Sequence, residues 1–309
     1  MNYSEIFKDL NCNVKINEMM SSHTTFKIGG MADLFLEVND LDSLKKVLCL
    51  LKSHDIPFFI IGNGSNLLVD DEGYNGAIIK LTGDFEKIYI DGEYIECGSG
   101  CKLSKLCTKC LENSLTGLEF AYGIPGSFGG AIFMNAGAYG NEIKEFVEYV
   151  KCIDDDGNVY NLSNDECKFD YRKSVFSENK FVIISARLKL SNGKHEDIKN
   201  KMQDFISKRK SKQPLEYPSA GSFFKCPTGY HASALIDECG LKGFRIGDAA
   251  VSSKHAGFVV NLGNASSKDI INLQSEIISK VETQKNILLD TEVIHLKNGI
   301  VKDNSRHVL

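Results

Sequence analysis

The sequence predicts a globular protein of mixed helices and strands with more than one domain, and three observations lead to this prediction. The chain has 309 residues, enough for two or three domains with cores of their own. Helix-like spacing of apolar residues alternates along it with short apolar runs of strand length. Two Asp-Gly pairs, at 91–92 and 156–157, lie between strand-like runs and are strong signals for hairpin turns.

A small β-α-β unit is predicted in the first part of the chain. Ala32–Val38 is its first strand, and Asp40–Lys52 is a helix with leucines at helical spacing on one side. Phe58–Ile61 is a short buried strand that runs straight into the sequence GNGSN at 62–66. By itself GNGSN is a weak signal, because a simple turn has the same composition.

Strand-rich structure is predicted from about residue 87 to residue 190. The predicted elements are a hairpin, a helix, a second hairpin and a strand, at Lys87–Cys97, Leu103–Leu111, Tyr149–Leu162 and Phe181–Leu190. The first hairpin turns at the Asp-Gly pair at 91–92 and the second at the pair at 156–157.

The last third of the chain begins with a predicted helix, His195–Lys210. It runs into a basic stretch, which we interpret as a solvated helix end that the helix dipole favours. The basic residues are Lys208, Arg209, Lys210 and Lys212. The composition changes beyond Pro214, where we place a domain boundary. Ser266 and Asp269 have the spacing of a capping box that opens another helix, and Glu292–Leu296 reads as a late strand.

The ten cysteines permit two interpretations. Four lie close together, at Cys97, Cys101, Cys107 and Cys110, and include a CxxC pair that suggests a metal site. However, Cys107 and Cys110 share helical spacing with Leu103 and Leu106, which is the pattern of a buried helix face. We therefore predict core packing and no metal site. The scattered remainder suits a reducing compartment.

The segment from 121 to 140, AYGIPGSFGGAIFMNAGAYG, is the window poorest in side chains. Its six glycines free a row of backbone N–H groups, which can form a concave site for a phosphate or a cofactor. The alternative is a glycine-rich packing turn under a sheet. The window has neither a Walker ending nor a GxGxxG pattern, and its glycines make a membrane helix very unfavourable.

Charge and the N-terminal sequence exclude several classes of function. The net charge of −5 argues against a nucleic-acid surface. The first residues contain acids and no apolar run, so they do not form a secretory signal. We expect a cytoplasmic protein with no membrane insertion, and no obligate protein partner is evident.

Three further segments each carry one candidate functional group. YRKSVF at 171–176 contains Arg172, PSAGSFFK at 218–225 contains Ser222, and LDTEV at 289–293 contains Glu292. Taken singly, each signal is weak, because a surface ion pair, a turn hydroxyl and an exposed strand residue would look the same.

Together these segments follow a known order. With TTFKIGG at 24–30, IGNGSNLLV at 61–69, GIPGSFGGAIFMNAGAYG at 123–140 and RIGDAAVSSKHAGFVVN at 245–261, the chain resembles the UDP-N-acetylenolpyruvoylglucosamine reductases. These flavoenzymes make UDP-N-acetylmuramate for peptidoglycan. The stretch from 190 to 202 is too short for the tyrosine-bearing insertion of some members, so the chain resembles the shorter subclass. Cys226 stands where many members have asparagine.

The resemblance implies a domain organisation. Residues 1–22 would be a lead segment, and residues 23–192 an FAD-binding domain of the vanillyl-alcohol-oxidase (PCMH) type. That domain would divide into two α+β subdomains at about 23–82 and 83–192, so the fold class that the resemblance implies is α+β. Residues 193–309 would hold a linker helix and an α+β substrate domain.

The resemblance also implies the site. FAD would bind non-covalently to the two glycine loops. The cofactor residues would be Gly62, Asn63, Gly64, Ser65, Asn66, Leu67, Gly123, Gly126, Ser127, Gly130, Asn135 and Gly137. The catalytic residues would be Arg172, Ser222 and Glu292, and the substrate-binding lysines Lys212 and Lys225.

The chemistry that the resemblance implies fits these residue types. NADPH reduces FAD, and FAD then delivers hydride to the enolpyruvyl ether of UDP-N-acetylglucosamine. A guanidinium stabilises the charge that develops at the carboxylate, a serine hydroxyl supplies the proton, and a glutamate orients or polarises the intermediate. Two alternatives are another FAD oxidoreductase of the same fold, acting on an alcohol or lactone, and a non-catalytic nucleotide-binding protein.

Overall fold

The computed structural model describes residues 6–8 and 10–298. Its first part is a four-stranded sheet with the strand order β1-β2-β5-β3. The elements of this part are β1 (Cys12–Met19), β2 (Met31–Val38), α1 (Leu41–Ser53), β3 (Phe58–Ile61), β4 (Leu67–Val69) and β5 (Tyr74–Leu81). The predicted β-α-β unit is present, but β5 lies between its two strands and pairs in parallel with both.

Helix α1 shows why this unit forms where the sequence predicts it. The carboxylate of Asp40 accepts a hydrogen bond of 2.7 Å from the backbone N–H of Ser43, which caps the first turn. The apolar residues at helical spacing are fully buried against the sheet; they are Leu44, Val47, Leu48 and Leu51. The N-cap and the buried face together fix the start and the orientation of the helix.

The second part is a five-stranded antiparallel sheet with the order β12-β11-β13-β7-β6. Its elements are β6 (Ile88–Asp91), β7 (Tyr94–Gly98), α2 (Leu103–Glu112), β8 (Leu115–Thr116), α3 (Phe128–Phe133), β9 (Gly137–Ala138), β10 (Asn141–Glu142), β11 (Val147–Ile153), β12 (Val159–Ser163) and β13 (Val182–Lys189). Both predicted hairpins are confirmed, and they turn at the two Asp-Gly pairs.

The clustered cysteines are buried in this part. Cys107 and Cys110 lie on the inner face of α2 beside Leu103 and Leu106, as their spacing predicts. Burial raises the pKa of the Cys110 thiol to about 12, so the thiol stays neutral and packs as a small apolar group. Among the described residues, no group of three or more His, Cys, Asp or Glu side chains is placed to hold a metal ion. The metal content of the protein stays a prediction.

The third part holds a four-stranded sheet with the order β15-β18-β17-β16, which packs against two helices. The elements are β14 (Ser191–Asn192), α4 (His195–Lys212), β15 (Ser219–Ser222), α5 (Ala232–Glu238), β16 (Arg245–Ile246), β17 (Ala249–Val251), β18 (Phe258–Asn261), α6 (Ser267–Lys285) and β19 (Ile294–Leu296). The predicted capping box of α6 is confirmed. The Ser266 hydroxyl accepts from the backbone N–H of Asp269, and the Asp269 carboxylate accepts from the backbone N–H of Ser266, both at 3.0 Å.

The first and third parts each contribute a segment to the structure of the other. Strand β19 leaves the third part and pairs in parallel with β4 in the first. In the other direction, Phe26 and Ile28 pack into the apolar core around Phe223 and α6. The glycine loops lie at this junction. No helix within residues 6–8 and 10–298 is both long enough and apolar enough to cross a membrane.

Candidate active site

The loop at 62–66 leads out of β3 and is held by its own backbone. Gly64 has φ +59°, and a Cβ at this position would lie 2.2 Å from the carbonyl oxygen of His23. The carbonyl of Gly64 accepts a hydrogen bond of 3.1 Å from the backbone N–H of Thr25. The close approach of residues 23–25 therefore requires a glycine at position 64 even without a ligand.

The residues of the long glycine loop have different structural roles. The Ser127 hydroxyl accepts a hydrogen bond of 3.2 Å from the backbone N–H of Gly130 and so caps α3. A Cβ on Gly129 would lie 2.7 Å from the Cβ of Ser99, so this glycine is needed for packing. A Cβ on Gly126 would meet nothing closer than 3.6 Å. A Cβ there would make only ordinary van der Waals contacts, so packing does not require a glycine at position 126, which lines the inner space described next.

Two connected spaces open beside these loops. The first, which we call the inner cavity, has a volume of about 190 Å³, and the second, the outer cleft, about 670 Å³. The two loops meet between them, where the side-chain amide of Asn63 donates a hydrogen bond of 3.1 Å to the carbonyl of Pro125. The polar residues of the inner cavity include Ser65, Asn66, Ser127, Arg172, Arg209, Gln213, Ser222 and Glu292. The cations of the outer cleft are Lys27, Lys80, Lys102 and Arg209.

Arg172 is fixed at the inner cavity by its backbone and by two hydrogen bonds. Its φ of +53° is unusual for a residue with a side chain and points to a constrained position. Its Nε donates to Oε1 of Glu292 at 2.9 Å, and its Nη2 donates to the carbonyl of Gly137 at 3.2 Å. Its guanidinium carbon lies 4.9 Å from the ring centroid of Tyr171. Among the described residues, none accepts a hydrogen bond from its Nη1.

Glu292 is brought to Arg172 by backbone pairing rather than by sequence proximity. Its N–H donates to the carbonyl of Phe223, and the N–H of Lys225 donates to the carbonyl of Asp290, each at 2.9 Å. The side-chain amide of Asn66 donates to the carbonyl of Glu292 at 3.0 Å. Burial raises the pKa of the Glu292 carboxyl above its ordinary value, and the adjacent Arg172 offsets part of this rise.

Ser222 ends strand β15 opposite Phe258 of β18. Gly221 before it has φ +76°, a left-handed conformation that turns the chain so that Ser222 lines the inner cavity. The same backbone pairing that positions Glu292 also holds this segment, because Phe223 directly follows Ser222. The hydroxyl, the carboxyl and the guanidinium thus border one space with the glycine loops.

Comparisons with known proteins identify the family. The model of the UDP-N-acetylenolpyruvoylglucosamine reductase C-terminal domain matches residues 213–296, and that of an FAD binding domain matches residues 32–163. A UDP-N-acetylenolpyruvoylglucosamine reductase of Clostridium novyi is 46% identical over 91% of each chain. One from Caldanaerobacter subterraneus is 47% identical over 87% of this chain and 89% of the relative. The chain belongs to the UDP-N-acetylenolpyruvoylglucosamine reductase family.

A solved structure supports the same assignment. The crystal structure of UDP-N-acetylenolpyruvylglucosamine reductase from Thermus caldophilus superimposes with a TM-score of 0.78 at 34% identity. It covers 93% of this chain and 99% of that chain. The protein is therefore an FAD-dependent oxidoreductase of the α+β class that acts in peptidoglycan precursor synthesis, as the sequence motifs predicted. A different FAD oxidoreductase acting on an alcohol or lactone is not favoured.

Most of the cofactor residues that we predicted line the two spaces of this reductase. Gly62 and Asn63 line the outer cleft. Those that line the inner cavity are Ser65, Asn66, Gly126, Ser127, Gly130 and Gly137. The described residues that line either space do not include four of those predicted, which are Gly64, Leu67, Gly123 and Asn135. Asn135 is fully buried, and its amide bonds to Glu142, to the carbonyl of Asp170 and to the N–H of Lys144. Its role toward a cofactor stays a prediction.

The two predicted substrate lysines lie outside both spaces. Lys225 is partly exposed and forms an ion pair of 2.7 Å with Asp290. Lys212 is exposed at the end of α4. Neither is among the described residues that line the inner cavity or the outer cleft, and their contact with a substrate stays a prediction.

Sequence reasoning missed Arg209 of the reductase. We took it for part of a solvated basic run, yet it lines both the inner cavity and the outer cleft. A signal was available, because Arg209 follows the inward-facing Met202 by seven residues and Phe205 by four, and so shares their helix face. Lys27, Lys80 and Lys102 were missed too, and no local pattern marks them.

Proposed function

We propose that Arg172, Ser222 and Glu292 form the centre at which the enolpyruvyl ether of UDP-N-acetylglucosamine is reduced to UDP-N-acetylmuramate. The observation that supports this proposal is that three segments far apart in the chain border one cavity beside the glycine loops. A guanidinium, a hydroxyl and a largely buried carboxyl are the groups that an enolate-forming reduction needs.

The residues that line the two spaces suit the chemistry of FAD. The inner cavity has backbone and small residues on one side, at Gly126, Gly130 and Gly137, and would hold the flavin ring. The outer cleft is more open and carries several cations, so it would hold the ADP part with its diphosphate. Gly126 supports this placement, because it lines the inner cavity although its protein neighbours do not require a glycine there. We expect FAD to bind without a covalent bond.

FAD held beside these residues would supply the hydride that reduces the enolpyruvyl group. Arg172 would stabilise the negative charge that develops toward the substrate carboxylate, and its Nη1, which bonds to none of the described residues, would be the donor for it. The Ser222 hydroxyl donates a proton to the neighbouring carbon. Glu292 keeps the guanidinium in position through its bond to Nε and polarises the intermediate.

Several finer features belong to the same proposal. NADPH is the reductant of FAD, and the protein works in the cytoplasm without an obligate protein partner. It does not act on nucleic acid, which agrees with the net charge of −5. Lys212 and Lys225 contribute to substrate binding. The chain divides into a lead segment at 1–22, the FAD-binding domain at 23–192 and the substrate domain at 193–309.

A coupled assay tests the proposal. Purified protein with bound flavin is mixed with NADPH, and NADPH oxidation is followed with and without the enolpyruvyl UDP-sugar. We expect rapid oxidation only when the sugar is present, with formation of UDP-N-acetylmuramate confirmed by mass spectrometry. A protein that holds flavin but consumes no NADPH in the presence of the sugar would contradict the proposal.

A further inference from the structure

Asn135 is a fully buried side chain with three hydrogen bonds that link separate segments. It is not among the described residues that line the inner cavity or the outer cleft. Its Nδ2 donates to Oε2 of Glu142 and to the carbonyl of Asp170, both at 3.0 Å. Its Oδ1 accepts from the backbone N–H of Lys144 at 3.2 Å. The amide therefore joins its own loop to two others.

The backbone at Asn135 does not itself require this side chain. The residue follows α3 with φ +44°, in the left-handed region. Its N–H donates to the carbonyl of Ile132 at 3.2 Å, and the N–H of Ala136 donates to the carbonyl of Ala131 at 2.8 Å. These are the two bonds of a Schellman motif, in which glycine is the usual residue at the position of Asn135. The three bonds of the side-chain amide are thus what asparagine adds to this helix end.

The carbonyl of Asp170, which Asn135 binds, belongs to the turn that carries Arg172. The N–H of Asp170 donates to the carbonyl of Lys173 at 3.0 Å, and the N–H of Lys173 donates back to the carbonyl of Asp170 at 3.2 Å. Tyr171 and Arg172 form the two-residue tip between them. Asn135 therefore holds the carbonyl that closes this turn.

The bond from Asn135 to Glu142 reaches the other support of Arg172. Glu142 pairs with Gly137 between β10 and β9. The carbonyl of Gly137 in turn accepts from Nη2 of Arg172 at 3.2 Å. One buried amide thus links the turn from which the Arg172 side chain starts to the strand pair on which its guanidinium ends.

We propose that Asn135 is a positioning residue that fixes the guanidinium of Arg172 at the inner cavity, an inference that rests on the proposed function of Arg172. The φ of +53° at Arg172 is a conformation that persists only where the surroundings determine it. Without the amide, the turn can relax and the guanidinium can shift. A shift of about 1 Å can cost about 10²-fold in rate. Because Asn135 acts through Arg172, only the step that uses Arg172 should slow.

Stopped-flow absorbance on the flavin-bound Asn135→Gly protein tests the proposal. Glycine accepts the left-handed backbone and removes only the side chain. We expect reoxidation of reduced flavin by the enolpyruvyl UDP-sugar to slow by about ten- to 10²-fold. Flavin reduction by NADPH and FAD content should stay near the wild-type values. Asn286→Gly is the matched control, since Asn286 is an exposed asparagine at the end of α6 with φ +55°, and it should change neither step.

A double-mutant cycle separates positioning of Arg172 from a general structural effect. The rates of reoxidation are compared for Asn135→Gly, Arg172→Ala and the double variant. If Asn135 acts through Arg172, the double variant should reoxidise at the rate of Arg172→Ala alone. Independent effects would multiply, and that result would overturn the proposal.

Three other results would overturn the proposal. The first is reoxidation of Asn135→Gly at the wild-type rate, and the second is equal slowing of both steps. The third is loss of FAD from Asn135→Gly, which would place Asn135 on the cofactor. If this variant does not fold, as judged by circular dichroism, Asn135→Ala gives the same comparison. Reoxidation that is unaffected by Arg172→Ala would instead contradict the proposed function.

Discussion

At the scale of single residues, the central feature is the ion pair between Arg172 and Glu292. The two residues are 120 positions apart, and their side chains meet at 2.9 Å inside the inner cavity. Motif order identified both residues from the sequence. Their pairing could not be predicted, because it depends on the backbone bonds of Glu292 to Phe223 and Asn66, which are contacts between distant segments.

The raised pKa of Glu292 predicts a pH dependence of stability. The folded protein holds this proton more tightly than the unfolded chain does. The stabilisation is therefore present below about pH 4.5 and is lost as the pH rises through the pKa of the folded state. We expect the free energy of unfolding of Glu292→Gln, minus that of the wild type, to increase with pH from about pH 4.5 upward. Urea denaturation at a series of pH values measures this difference, and a flat or falling difference would contradict it.

Lys212 gives a second prediction at this scale. If its ammonium helps to hold the UDP diphosphate, Lys212→Ala should raise KM for the UDP-sugar about tenfold and lower kcat much less, as expected for lost ground-state binding. Steady-state kinetics measures both constants. Lys201→Ala, exposed on the same helix, is the matched control. An unchanged KM would leave Lys212 as a solvated residue at the end of α4.

At the scale of elements, local signals predicted the helices α1, α2, α4 and α6 and several strands, but they did not predict β1 and β5, which have eight residues each. The cap of α1 at Asp40, the two Asp-Gly hairpins and the capping box of α6 depend on neighbouring residues only, and all are present. Strands of two residues, such as β9 and β10, carry no periodicity and were not predicted. The late strand begins at Ile294 rather than Glu292, because Glu292 pairs with Phe223 instead of β4.

The glycine loops have different reasons for their glycines, and this difference can be measured. Gly126→Val should fold but place its methyl groups in the inner cavity, so the protein should purify with little FAD. Gly64→Val forces a left-handed β-branched residue against His23 and should lose stability, on the order of 1–3 kcal/mol from the backbone alone.

Two measurements separate these effects. Flavin absorbance per mole of protein reports FAD content, and thermal unfolding of the apoproteins reports stability. Gly126→Ala, with the smaller side chain, is the graded control. A Gly126→Val protein with full FAD content would show that the cofactor does not approach this part of the loop.

At the scale of the whole molecule, the site is assembled from parts that are distant in sequence. Strand β19 returns to pair with β4, and the segment around Phe26 enters the core of the third part. The composition change near Pro214 predicted a domain boundary. No local sequence pattern indicates that segments from each side of this position pack into the structure on the other side. Arg209 lines both the inner cavity and the outer cleft because α4 packs against the glycine loop at Gly123.

The central claim is that a serine from the third part completes a reduction begun at the flavin of the first two. Stopped-flow absorbance with Ser222→Ala tests it most directly, because flavin reduction by NADPH and reoxidation by the enolpyruvyl UDP-sugar are observed as separate steps. Loss of the hydroxyl should slow reoxidation by about 10²–10⁴-fold and leave reduction near the wild-type rate. Reoxidation at the wild-type rate, or equal slowing of both steps, would contradict the account.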